Sequence, residues 1–188
     1  GGQGNLFFGR VLTQLAFLAG YGESNLVKGE THGMAQMGGP VISTFACGAT
    51  HSPTLLPKSA DCLVSMEAGE ILRPGFLEML KPGGTVLMAK TNILPQGLDP
   101  KDYPDHRAIM AQLEGFRVME LDVLAQAQAL GDPAGKCANV VMMGALSRVA
   151  PFNLFPPEYW LEAVRKNSPK PALWQLNQAA FAAGQKLA

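Results

Sequence analysis

Two stretches of the chain carry residue types able to do chemistry at a site. The first is Gly1-Gly2-Gln3-Gly4, placed directly before the apolar run Asn5–Ala19. Backbone N–H groups at such a helix start, with the positive end of the helix dipole, can hold a phosphate. A full G-x-G-x-x-G fingerprint beginning at Gly2 needs a third glycine at position 7, where Phe7 stands. The turn is therefore read two ways, as a phosphate or nucleotide contact or as a tight turn that packs a helix on a sheet. No methionine opens the chain, so residues are expected to precede Gly1. The second stretch is His32-Gly33-Met34-Ala35-Gln36-Met37-Gly38-Gly39-Pro40. A helix gives no reason for three glycines there, whereas a loop that must approach another chain or a ligand does. His32, next to that loop, is read either as a functional or as a satisfied structural histidine.

The remaining candidates are weaker. His51 and His106 lie in polar contexts and are expected to be solvated, and no histidine has a partner at metal-ligand spacing. Cys47, Cys62 and Cys137 are far apart and odd in number, which disfavours a disulfide scaffold, a zinc ribbon or an iron–sulfur site on this chain alone. No G-x-S-x-G is present. Leu80-Lys81-Pro82-Gly83-Gly84-Thr85-Val86 is also found in S-adenosylmethionine methyltransferases, but its physical content is a helix stop and a turn into a strand. Met142 and Met143, on a helix, read as adaptable core packing.

The elements that must position these residues follow from periodicity. Helices are predicted over Asn5–Ala19, Met66–Leu80 (interrupted at Pro74-Gly75), Pro104–Leu113, Val123–Leu130, Lys136–Ala150, Tyr159–Asn167 and Leu173–Leu187. Extended segments are predicted over Asn25–Glu30, Val41–Cys47, Asp61–Ser65, Thr85–Ala89 and Phe116–Leu121, with Leu80–Gly84 as the turn before the fourth. Apolar strands without alternation, separated by helices, predict a sheet covered on both faces. The expected class is α/β: a three-layer α/β/α, Rossmann-like arrangement with a mostly parallel sheet and a helical C-terminal third. No repeat or long linker divides residues 1–188, so one domain is expected.

Composition narrows the function. Fifteen Lys and Arg balance fifteen Asp and Glu, which argues against a dedicated nucleic-acid binder. Only 16% of residues are charged, against about 25% in ordinary soluble domains. So few charges suggest a surface partly covered by a partner. No apolar run is long enough to span a membrane and no leader segment is visible; with three free thiols, a cytoplasmic location is expected.

Taken in order along the chain, Gly1-Gly2-Gln3-Gly4-Asn5, then Glu30-x-His32-Gly33-Met34-Ala35-Gln36-x-Gly38-Gly39, then Leu80–Gly84, resemble the gamma-type domain of 2-oxoacid:ferredoxin oxidoreductases. The middle pattern is most similar to the small (beta) subunit of indolepyruvate:ferredoxin oxidoreductase, and Asn177-Gln178-Ala179-Ala180-Phe181-x-x-Gly184 is similar to that family's closing helix. Met37 departs from the family, where many members carry arginine. The resemblance implies an accessory subunit, inactive alone, in an enzyme that oxidatively decarboxylates a 2-oxo acid to an acyl-CoA, with indolepyruvate or another arylpyruvate favoured. It implies thiamine diphosphate, Mg and [4Fe-4S] clusters on a large partner subunit, ferredoxin reached through that partner, and coenzyme A as co-substrate. No cofactor or metal is expected on this chain alone, which lacks the cysteine pattern and the G-D-G…N pattern for them. Gly1, Gly2, Gly4, Asn5, His32, Gly33, Met34, Gln36, Gly38 and Gly39 are then expected to face a shared cleft or the coenzyme A path. His32 is the one candidate to touch reactants, as a hydrogen-bond donor to a carboxylate or thioester. Two other functions compete. One is a free-standing NAD-dependent dehydrogenase or S-adenosylmethionine methyltransferase resting on the glycine turn. The other is a non-catalytic assembly protein of the same fold.

Overall fold

The computed structural model describes residues 2–32, 39–50, 52–95, 97–168 and 170–188. Helix α1 (Asn5–Leu18) starts at the glycine turn and ends one residue before the Ala19 that its apolar pattern predicts. An antiparallel ribbon follows, β1 (Leu26–His32) paired with β2 (Val41–Cys47) from Leu26↔Cys47 to His32↔Val41. The parallel sheet is built from β3 (Ala60–Ser65), β4 (Leu80–Ala89) and β5 (Arg117–Leu121), in the order β3-β4-β5. Between and after these strands come α2 (Phe76–Met79), α3 (His106–Gln112), α4 (Val123–Ala129), α5 (Ala138–Leu146), α6 (Pro157–Asn167) and α7 (Trp174–Gln185).

Successive residues of a strand point to opposite faces, and here both faces are covered. Val64, Leu87, Met119, Ala89 and Leu121 pack into the larger core with α1 and the helices from α4 onward. Leu63, Val86, Met88 and Val118 pack on the other side against Ile71, Ile109 and Leu113. This is the expected three-layer α/β/α arrangement, and it accounts for β4's unbroken apolar run Val86–Ala89, fully buried on both sides.

Two local expectations change. Leu80–Gly84 is not a turn before a strand but the irregular start of β4. Pairing runs from Ala60↔Leu80 to Cys62↔Thr85, so β4 bulges out against β3. Gly83 takes φ 72° there, and a Cβ on Gly84 would lie 2.7 Å from the Leu80 side chain. The predicted helix over Met66–Leu80 shrinks to a 3-10 turn, Gly69–Leu72, and the single turn of α2. Pro74-Gly75 breaks it, and side-chain bonds hold its first residues in a turn of their own, described below.

The helical third is packed through small residues. A Cβ on Gly144 would sit 2.1 Å from the Phe181 carbonyl oxygen, and one on Gly184 1.8 Å from that of Val141. The α5 and α7 backbones therefore touch directly. Asn177, buried in α7, donates to Ser168 Oγ at 2.9 Å. The N-x-x-A-F-x-x-G pattern that marks the closing helix is thus a packing pattern: Asn177 pins the preceding loop, Ala180 and Phe181 enter the core, and Gly184 makes the crossing close.

The three cysteines are free. Burial first, and the Asp132 carboxylate second, push the Cys137 thiol up to about 12; burial, with Asp61 adding to it, pushes Cys62 up to about 11. Both keep their protons in the fold at pH values where the unfolded chain, with an ordinary thiol near 8.5, has released them. The unfolded state then binds fewer protons, so stability is expected to fall as pH rises from about 9 through these raised values. In alkylation at pH 8, Cys47 is expected to react first and Cys137 only on unfolding. Equal rates for the three would contradict this.

Candidate functional site

Gly4 caps α1 in the left-handed conformation, φ 78° and ψ 25°, with no side-chain cap and no acidic residue in the first turn. The N–H groups of Asn5, Leu6 and Phe7 therefore have no partner within the helix. Phe8 N donates to Gly4 O at 3.0 Å and closes the first turn. Glycine is required at position 4 twice over, by its φ and because a Cβ would lie 2.1 Å from Asn139 Nδ2. Phe7, in the place of the third fingerprint glycine, packs against the core instead.

Two side chains anchor the turn. Gln3 Nε2 donates to the Met66 carbonyl at 2.9 Å, just past the carboxyl end of β3. Asn5 Nδ2 donates to the Val41 carbonyl at 2.5 Å, at the start of β2. Val41 is paired with His32, so the facing ends of β1 and β2 lie beside the head of α1. The glycine turn and the roots of the His32–Pro40 stretch are thus brought together. The meeting point lies at the carboxyl end of a parallel sheet, where open α/β folds place ligands. Of the expected site residues, Gly2, Gly4, Asn5 and Gly39 lie among the described residues, and His32 closes β1. Gly1, Gly33, Met34, Gln36 and Gly38 lie outside them, as does His51.

Three groups stand beside these residues, and of them only Glu30 belongs to a pattern legible in the sequence. Asn139, in the first turn of α5, is 7% exposed and abuts Gly4. Its carboxamide, one donor group and one acceptor, lies directly against the glycine turn. Lys28 and Glu30 form an ion pair at 2.5 Å, with the lysine stem laid over Gly9 of α1. Glu67, 5% exposed, accepts from Glu70 N at 2.8 Å, from Ile93 N at 3.1 Å and from the Tyr103 hydroxyl. Burial first, and the Glu67 carboxylate second, hold the Tyr103 hydroxyl well above its ordinary range.

On the other face of the sheet, Met88, Lys90, Asn92, His106 and Glu120 line a hollow of about 330 Å³. His106 is exposed as expected, and its Nε2 lies 2.9 and 3.0 Å from the Glu120 carboxylate oxygens. Among the described residues no three His, Cys, Asp or Glu side chains assemble a metal site, and no helix is long and apolar enough to cross a membrane.

The family described as pyruvate ferredoxin/flavodoxin oxidoreductase matches residues 1–187. The indolepyruvate oxidoreductase subunit IorB of Archaeoglobus fulgidus is 30% identical over 190 aligned residues, covering 98% of this chain and 89% of its own length. The IorB subunit of Methanothermobacter thermautotrophicus is 29% identical over 98% of this chain and 91% of its own. Among solved structures, the 2-oxoglutarate:ferredoxin oxidoreductase of Magnetococcus marinus, with 2-oxoglutarate, coenzyme A and succinyl-CoA bound, matches all of this chain with a TM-score of 0.68 and 16% identity. This chain spans 29% of that one, and the likeness is one of fold.

Proposed function

This chain belongs to the pyruvate ferredoxin/flavodoxin oxidoreductase family, and from that membership we propose that it is the accessory subunit of a 2-oxoacid:ferredoxin oxidoreductase, inactive alone. The observation that carries this reading is the likeness, over almost the whole length of both chains, to two indolepyruvate oxidoreductase small subunits. The reaction is the oxidative decarboxylation of a 2-oxo acid, with indolepyruvate or another arylpyruvate first, to an acyl-CoA and carbon dioxide. Two electrons pass singly to ferredoxin. Thiamine diphosphate with Mg, and the [4Fe-4S] clusters, belong to a large partner subunit; the decarboxylation and electron transfer are their chemistry. The complex works in the cytoplasm and has no nucleic-acid role.

This chain's share is to close the cleft. Gly1, Gly2, Gly4 and Asn5, with His32, Gly33, Met34, Gln36, Gly38 and Gly39, face the partner or the coenzyme A path. The free amides of Asn5–Phe7 and the Asn139 carboxamide are donors of the kind that a phosphate or thioester oxygen accepts from. The absence of a side chain at Gly4 lets the Asn139 carboxamide lie beside them. His32 adds a donor at the root of the loop.

A pull-down with this chain from an extract prepared without oxygen is the deciding experiment. The expected result is a larger iron–sulfur, thiamine-dependent chain, and a complex that reduces ferredoxin when given a 2-oxo acid. A chain that stays alone and binds NAD(H) or S-adenosylmethionine would overturn the reading. In the complex, His32→Ala is expected to lower turnover about tenfold, the worth of one hydrogen bond to a charged group, with assembly intact. Unchanged turnover would make His32 structural.

A further inference from the structure

The glycine turn hangs from a loop junction, and one buried carboxylate holds that junction together. The geometry points to Glu67 as the positioning residue of the candidate site: its carboxylate ties the loops leaving β3 and β4 to each other, and the Met66 carbonyl carries that position to Gln3 and the head of α1. The consequence for activity rests on the proposed function; the positioning itself does not.

A carboxylate is needed because every group facing it is a donor. Oε1 takes the Ile93 amide and the Tyr103 hydroxyl, and Oε2 takes the Glu70 amide. Tyr103 in turn accepts from Gly69 N at 3.1 Å, and Ala68 N donates to Thr91 O at 2.9 Å, so three segments converge on the junction. Ser65 Oγ donates to the Glu67 carbonyl at 2.5 Å and closes the short turn around Met66. The Met66 carbonyl, fixed between these two residues, is the acceptor for Gln3. Glutamine at position 67 keeps the shape but turns an NH2 toward a donor on one side or the other. Aspartate keeps the charge but falls about 1.5 Å short, one carbon–carbon bond.

The test uses the full chain with Glu67→Gln and Gln3→Ala, singly and together. Amide hydrogen exchange is read at Phe8, whose N–H closes the first turn of α1, with α7 as the internal reference. Each single variant is expected to speed exchange at Phe8 about tenfold, the loss of one hydrogen bond to a local opening. Exchange in α7 stays unchanged, and the double variant is no faster than the faster single. Unchanged exchange at Phe8, strictly additive effects, or an equal rise in α7 would each overturn the assignment. Should Glu67→Gln fail to fold, Tyr103→Phe takes its place: it removes one donor, keeps the carboxylate, and is expected to give about threefold at Phe8 with the same reference. In the assembled enzyme, Glu67→Gln is expected to raise KM for coenzyme A more than it lowers kcat. Failure to find any partner enzyme would count against the proposed function alone, since exchange in the isolated chain decides the positioning.

Discussion

Gly184→Ala is expected to cost the fold more than about 4 kcal/mol, a large part of the 5–15 kcal/mol of an ordinary domain. The added Cβ would lie 1.8 Å from the Val141 carbonyl oxygen and 3.0 Å from Ala145 N, both backbone atoms that no rotamer change can move. Relief requires α7 to back away from α5, which opens the core around Phe181, Ala180 and Val141, each at most 1% exposed. Overpacking of flexible side chains costs about 1–3 kcal/mol; a backbone collision at a helix crossing lies beyond that range. Gly20→Ala is the proper comparison. Gly20 has φ 89° but open space around it, so alanine there meets only backbone strain of about 1–2 kcal/mol. Urea melts of the two variants check the contrast, and a Gly184→Ala midpoint close to that of Gly20→Ala would refute it.

The second large effect is expected at Gly4, in activity rather than in stability. Gly4→Ala forces a left-handed residue to carry a Cβ and drives it onto Asn139 Nδ2. The head of α1 must shift or the carboxamide must turn. A displacement of about 1 Å at a site of this kind costs about a hundredfold in rate, so turnover of the assembled enzyme is expected to fall by at least that factor. Asn139→Ala separates the two causes. It removes the carboxamide that Gly4 abuts but no side-chain hydrogen bond among the described residues, so the melting temperature is expected to change little. Turnover is expected to fall nonetheless, because a donor to the ligand is lost. The double variant Gly4→Ala with Asn139→Ala removes the collision and should regain stability while staying slow. Full recovery of turnover in the double variant would deny Asn139 any part in the site.

Much of the architecture was legible residue by residue. The all-apolar run of α1, the buried strand Thr85–Ala89 and the helices from Val123 onward follow from periodicity and turn residues, because those signals act over a few neighbours. Asp105 and Asp122 cap α3 and α4 through the amides three residues on, at 2.7 and 3.1 Å, as local chemistry directs. Where local and distant demands met, the reading changed. Leu80–Gly84 has the residues of a turn, yet pairing with β3 draws it into a bulged strand. Met66–Leu80 has helical spacing, yet Glu67 is worth more as a buried acceptor at the loop junction than as a helix residue. Val41–Cys47 reads as a strand in either case, and its antiparallel pairing with β1 sets it in a ribbon apart from the parallel sheet.

By itself, the sequence determined which residues were candidates and which class of fold carries them. The glycines before α1, the His32–Pro40 stretch and the closing helix are local patterns, and the family likeness runs through them in order. Tertiary structure decided how the candidates meet and what stands beside them. Asn5 reaches Val41, Gln3 reaches Met66, and Asn139 comes up under Gly4 from the far side of the chain. The physical reason is range. Periodicity and turn preference are set by backbone sterics within a few residues, whereas these contacts join segments that approach only when both faces of the sheet are covered. The role of a buried Glu67 is fixed by the donors that packing brings to it, and no spacing along the chain records them.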